Sequence, residues 1–230
     1  MDNYKIPEDK ITVTINGIDT EKFSPETDGR AVKKEYKIAD TDRTIVYVSR
    51  MDTDRSLVAH MLISAFEKLD RAADNLRLVI VGGGNDFDAV SKEADAVNKS
   101  LGRDAIVLTG AKTNINEFVA NAELFVGVSR AALEAMAAGK PTVIAGNEGY
   151  IGLFDESKAE LAYSTNFCCR GCEMPEEEKL AQDIGNFFGM WEEDKKHLGE
   201  FSRNYIKEHY SVKRMADDAE KVYKSVLAKR

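Results

Sequence analysis

A chain of 230 residues with 43% apolar and 31% charged side chains can bury a sizeable core and is too apolar to be mainly disordered. A net charge of −8 and a pI near 5.1 argue against a nucleic-acid-binding surface, while leaving room for a local basic pocket. No apolar run approaches the roughly 20 residues that span a bilayer, and no signal-peptide pattern opens the chain.

In chain order, short apolar runs alternate with longer amphipathic ones. The strand candidates are ITVTI (11–15), TIVYVSR (44–50), LRLVIVG (76–82), AIVLTG (105–110), AELFVGV (122–128) and PTVIAG (141–146), with ELAYST (160–165) as a weaker seventh. Several are β-branched and apolar on both faces, as a parallel sheet covered by helices on both sides requires. Helix candidates lie between them at 56–73, 87–102, 115–122 and 130–138. In the first, Leu57, His60, Met61, Ser64, Ala65 and Leu69 recur at helical spacing and are expected to form its packed face. Beyond residue 175 the alternation stops, and 176–191, 192–210 and 212–230 read as three consecutive helices. Their aromatics, among them Phe187, Phe188, Trp191, Phe201, Tyr205, Tyr210 and Tyr223, suit core and docking roles. The pattern predicts one α/β domain, with a parallel sheet of about six strands, helices on both faces and a C-terminal helical tail.

Cys168, Cys169 and Cys172 all fall within NFCCRGCEMP. An odd number so close together is no disulfide framework, which points to a reducing cytosol and a cytoplasmic protein. Cys169 and Cys172 supply half of a zinc site, but a structural site takes four ligands and His60, His197 and His209 are distant in sequence. The cysteines are therefore expected to be ordinary loop residues, and no metal site is expected.

Ligands of open parallel sheets bind beyond the carboxyl ends of the strands. The residues leaving those ends are Ser49, Arg50 and Arg55, then Gly82 to Asn85, Gly110 and Lys112, then Gly127, Ser129 and Arg130, and finally Asn147 and Glu148. Gly82, Gly83 and Gly84 suit either a plain strand-to-helix turn or a close approach of backbone to a ligand, but Phe87 breaks a dinucleotide G-x-G-x-x-G pattern. Arginines, a lysine and helix N-termini on one rim can hold an anion. The competing reading pairs Arg50 and Arg55 with Asp52 or Asp54 at the surface, where such pairs contribute little.

Glu134 stands alone as an acid in the alanine-rich helix that follows Ser129, a residue type suited to an N-cap, and ends before Gly139 and Pro141. It lies four residues after Arg130, so it could be one half of an i,i+4 pair, a few tenths of a kcal/mol in weight. Alternatively, it could accept hydrogen bonds from a diol such as a ribose. Sequence physics leaves both readings open.

Four segments occur in the order and spacing of a known family. TVTINGIDTEKFSP, SRMDTDRS, LVIVGGG and LFVGVSRAALEAMAAGKPTVIAG resemble successive elements of the C-terminal half of family 4 retaining glycosyltransferases of the GT-B fold. The similarity covers roughly residues 5–150, and FSRNYIKEHYSVKRMADDAEKVYKSVL is similar more loosely to that family's closing helices. The resemblance implies a Rossmann-like donor-binding domain that takes a UDP-sugar or GDP-sugar without a metal or other cofactor. It implies that Arg50 and Arg55 face the donor diphosphate, Arg55 standing where the family has lysine and Ser56 where it has glycine. Glu134 would hold the ribose hydroxyls. Gly127 and Ser129 would bring backbone near the phosphates, and Gly110 with its neighbours would line the base. Gly82, Gly84, Lys112 and Arg130 complete the nucleotide site implied in this way.

Aligned without a gap, VGVSRAALE lies on the family's EGFGLVLLE, so Val126 takes the place of the first glutamate, a usual contact of the donor sugar. Glu148 in AGNEGY, on the next loop, is the carboxylate offered in its stead. About ten residues precede ITVTINGID, so the chain is expected to be the donor half of a longer enzyme. On that expectation residues 1–10 derive from the domain junction and 211–230 form a helix crossing to an N-terminal acceptor domain, which would also mediate any peripheral membrane association. The alternatives are a nucleotide- or partner-binding module without chemistry, and a nucleotide-sugar epimerase of the same fold.

Overall fold

A computed structural model describes residue 7 and residues 10–228, with backbone alone at residue 72. Most of the junction segment expected at 1–10, and the last two residues of the terminal helix, lie outside the described residues. Six strands form one sheet: β1 (Arg43–Val48), β2 (Leu76–Val81), β3 (Ile106–Leu108), β4 (Leu124–Gly127), β5 (Thr142–Gly146) and β6 (Gly149–Leu153), in the order β3-β2-β1-β4-β5-β6. All neighbours are parallel except β5 and β6, which form an antiparallel hairpin.

Alternation along the strands explains why they look apolar throughout. Ile45, Tyr47, Leu78, Ile80 and Val126 point to one face, against α2 (Leu57–Ala72), α3 (Phe87–Leu101) and α7 (Glu177–Phe188). Val46, Val79, Val81, Phe125 and Ile144 point to the other, against α4 (Ile115–Ala120), α5 (Ser129–Ala137) and α8 (Glu192–His209). Both faces are dry, so each strand carries core residues at consecutive positions. Helix α2 buries Val58, Ala59, Leu62, Ile63, Ala65, Phe66 and Leu69. Its packed face is therefore turned from the one expected: Ser64 is exposed, and Leu57, His60 and Met61 lie at its margin.

Two expected strands are absent. ITVTI forms no strand and is unpaired, with Val13 87% exposed, because β-branched composition makes a strand only where a neighbour pairs with it. Its last residue, Ile15, packs on the core, and three residues later Ile18 pairs with Ser211. ELAYST is helical, as α6 (Ala159–Ser164), and buries Ala162. The sixth strand is instead β6, which follows β5 after the two-residue turn Asn147–Glu148. A short helix before the sheet, α1 (Arg30–Glu35), was not foreseen either; it is highly charged and buries only Val32. The closing helix α9 (Val212–Leu227) buries no residue and leaves Tyr223, Val226 and Leu227 exposed.

Candidate functional site

Sheet order places β2 on one side of β1 and β4 on the other, so the chain changes direction across the β1–β4 boundary. Loops leaving the carboxyl ends of these two strands diverge and leave a crevice, the usual ligand position in such sheets. A cleft of about 700 Å³ opens there. Ser49, Arg50 and Arg55 reach it from beyond β1, Gly82 and Gly83 from β2, Lys112 from beyond β3, and Ser129, Arg130 and Glu134 from α5. Val48, Val81, Ala111, Ile115 and Ala131 give it an apolar lining that the sequence reading did not single out.

Beside it lies a second chamber of about 360 Å³, which shares Ser49, Arg55, Val128 and Ser129 with the first. Its remaining wall comes from Tyr47, Asp54, the β5–β6 turn with Asn147 and Glu148, and Cys168 and Arg170.

Several expected residues are thus gathered, and others are not. Gly84 and Gly110 line neither cavity. Gly84 packs where any Cβ would strike the Met51 carbonyl, and the Gly110 carbonyl accepts from the Gly82 N–H at 3.0 Å. Gly82 itself has φ +149 and no room for a Cβ against the Ser49 carbonyl, so glycine is required at this crossing. Gly127 is inside β4, paired with Ile144.

Ser129 begins α5 with φ +54, an uncommon conformation for a residue with a side chain. The N-cap is Val128, without a side-chain cap bond, so Ser129 does not cap the helix. Its N–H donates to the Phe167 carbonyl at 2.7 Å and is not free for a phosphate. Only Val128 separates β4 from α5. Val126 consequently sits within the strand, paired with Tyr47 and Val143 and 0% exposed. A side chain at this position points into the core, and residue 126 lines neither cavity.

Arg50 and Arg55 lie 3.7 Å from Asp52 and Asp54, too far for hydrogen bonds, and both side chains are more than half exposed. Lys112 is more committed, 3.2 Å from Glu35 and over the Tyr36 ring. Glu134 accepts from Arg130 Nε at 2.8 Å, and its side chain is only 13% exposed. Burial raises its carboxyl pKa, and the nearby charges of Arg130 and Lys22 only partly offset that. The helix pair and the cleft-facing acid are therefore one arrangement. His60, expected to be packed or at an edge, bridges Asp86 at 2.8 Å and Glu93 at 2.7 Å, outside both cavities.

The sheet order and this rim define an open α/β domain of Rossmann-like type with its ligand cleft at the topological switch point. Within that class the chain belongs to the glycosyl transferases group 1 family, whose model matches residues 28–205. It is 32% identical, over 58% of its length, to a GDP-mannose-dependent α-(1-6)-phosphatidylinositol monomannoside mannosyltransferase of Mycobacterium tuberculosis, and covers 37% of that protein. A glycosyltransferase from Rickettsia africae superposes with TM-score 0.75 at 20% identity, covering 97% of this chain and 59% of the other. Anabaena HepE, solved with UDP and glucose, superposes with TM-score 0.68 at 17% identity, covering 97% and 58%. The chain thus spans little more than a third of the mannosyltransferase and under two thirds of these structures, whose likeness concerns the fold.

Proposed function

We propose that this chain is the donor-binding half of a family 4, retaining GT-B glycosyltransferase. In the intact enzyme it would transfer a sugar from a UDP- or GDP-sugar to a glycan, lipid or small acceptor held by an N-terminal domain. The observation that carries this reading is the cleft at the β1–β4 switch point, where Arg50 and Arg55 stand opposite the start of α5 and Glu134. The helix start presents the positive end of its dipole, and the two loosely paired guanidinium groups can balance charge developing on a leaving diphosphate without a metal. Glu134 would accept from the ribose hydroxyls, and Gly82, Gly83 and the apolar patch around Ile115 would flank the base. Alone, the chain is expected to bind donor and transfer nothing, and a cytoplasmic location follows from its free cysteines.

Calorimetric titration of UDP, GDP and ADP into the folded chain tests this reading. Millimolar or tighter binding of at least one is expected, and no binding of any would overturn it.

A second reading is favoured by the core position of Val126, which leaves the motif without its first acid. It is a nucleotide-binding module that has lost its chemistry. Joined to an acceptor half and given nucleotide sugars, it would show no hydrolysis, epimerisation or transfer, whereas the enzyme would turn over.

A further inference from the structure

Part of the wall of the second chamber comes from the loop between α6 and α7. Between α6 and α7 the backbone passes through Asn166 (φ +50), Phe167 (φ +56) and Cys169 (φ +61), three non-glycine residues in the left-handed region within four positions. Such conformations persist only where the surroundings fix them, and they gather at functional sites. Here the fixing is visible. Phe167 is fully buried against Phe154 and Tyr210, with ring centroids 5.6 and 5.5 Å away. Its carbonyl accepts from Ser129, and Cys169 is buried beneath the β5–β6 hairpin, where Gly149 leaves no space for a Cβ against the Cys169 carbonyl. The alternate residues, Cys168 and Arg170, line the chamber. Arg170 Nη2 holds both oxygens of Glu148, at 2.9 and 3.1 Å.

The charges facing this space are balanced. Arg55 and Arg170 face Asp54 and Glu148, and Tyr47, Ser49, Ser129 and Asn147 complete the polar wall, the Asn147 amide donating to the Asp54 carbonyl at 2.7 Å. A wall of mixed donors and acceptors without net charge matches a ring of hydroxyl groups. A sugar carboxylate would meet Glu148 and Asp54, and a sugar ammonium would meet Arg55 and Arg170. Resting on the donor reading above, we propose that the 165–172 loop and the Asn147–Glu148 turn form the donor-sugar subsite. Arg170, oriented by Glu148, is its specificity-determining residue, and the sugar it selects is an uncharged hexosyl group.

The test compares bare diphosphates with sugar nucleotides. UDP, GDP, UDP-glucose, UDP-galactose, UDP-N-acetylglucosamine, GDP-mannose and UDP-glucuronate are titrated into the wild-type chain and into Arg170→Ala and Glu148→Gln. At least one neutral-sugar nucleotide should bind more tightly than its own diphosphate, and UDP-glucuronate should not. Loss of charge-assisted hydrogen bonds in Arg170→Ala should erase that gain, roughly tenfold, while affinity for the bare diphosphate stays as it was. Both side chains are exposed enough that folding should be unaffected, which circular dichroism confirms before titration. As an independent readout, a neutral-sugar nucleotide should shield Cys168 from N-ethylmaleimide better than the bare diphosphate does, as followed by peptide mapping. Four results overturn the proposal: a gain that survives Arg170→Ala, an equal weakening of the bare diphosphate, a preference for glucuronate, or no gain from any neutral sugar. Failure of every nucleotide to bind is a different result, because it removes the donor reading itself.

Discussion

Glu134 pairs with Arg130 and also lines the cleft, so its structural role and its proposed ligand role meet in one side chain. Burial disfavours its charged form and Arg130 only partly compensates, so its pKa lies above the ordinary carboxylate value. A folded-state pKa above the unfolded 4.5 means that stability falls as pH rises through that interval, and the deficit persists at neutral pH. An ionised Glu134 is thus short of hydrogen-bond donors, which two ribose hydroxyls would supply. Glu134→Ala should weaken nucleotide binding about tenfold, the loss of charge-assisted bonds, with little change in melting temperature. Unchanged binding would reduce Glu134 to its pair with Arg130. In the wild type, nucleotide affinity should also decline as the pH falls through the raised pKa, and Glu134→Gln should lack that slope in calorimetry.

Elements hold this rim in place, and two of their contacts can be tested separately. Gly149 has φ +154 and faces the Cys169 carbonyl, so Gly149→Ala must displace either the hairpin or the loop beneath it. A cost of about 1–3 kcal/mol is expected from denaturant unfolding, together with loss of whatever binding the second chamber provides. At the other edge of the rim, His60 joins α2 to the start of α3 through Asp86 and Glu93. Burial opposes its charge, but hydrogen bonds to Asp86 and Glu93 outweigh burial and raise its pKa. Its contribution is therefore complete below the unfolded value of 6.5 and is lost as pH rises through the folded value; His60→Gln should flatten the stability profile across the neutral range.

Much of this arrangement is legible in the sequence because strands buried on both faces leave continuous apolar runs. What escaped depended on neighbours. ITVTI has the composition of a strand but no pairing neighbour, and β6 hides between glycines that only its hairpin and the Cys169 loop explain. Arg50 and Arg55 could be placed on the rim from strand ends alone, whereas Glu134 is tied to a ligand only through the family resemblance. Arg170 could not, since nothing local to NFCCRGC says that the loop folds back beside Ser129. Val126 falls within the expected strand AELFVGV and is buried there, so the first acid of the family pattern has no counterpart at that position.

Across the whole molecule the two ends of the sheet treat charge differently. At the amino end, Arg43 holds Glu123 at 2.6 Å and stacks on Phe188, while the buried Lys195 reaches the same carboxylate at 3.3 Å. At the carboxyl end, Arg50 and Arg55 remain loosely paired and exposed, in a chain whose net charge is −8. One end is therefore built for cohesion and the other is left available to an anion. Burial would raise the Glu123 pKa, but Arg43 and Lys195 outweigh it and hold the carboxyl below its usual 4.5. Its stabilisation is present above that value and lost as pH falls through the folded-state pKa. Glu123→Ala leaves two cations without their shared partner and should cost about 1–3 kcal/mol at neutral pH, between the values for surface and buried pairs. Nucleotide affinity, set at the far end of the strands, should not change. Arg50→Ala with Arg55→Ala should do the reverse, leaving the unliganded melting temperature near wild type and abolishing the rise caused by UDP or GDP. For the wild type that rise corresponds to about 2.7 kcal/mol at a hundredfold excess over Kd. Thermal melts of the three proteins with and without diphosphate check both halves together. If Glu123→Ala lowered affinity as much as the double arginine variant does, the two ends would be coupled and this division of labour would be wrong.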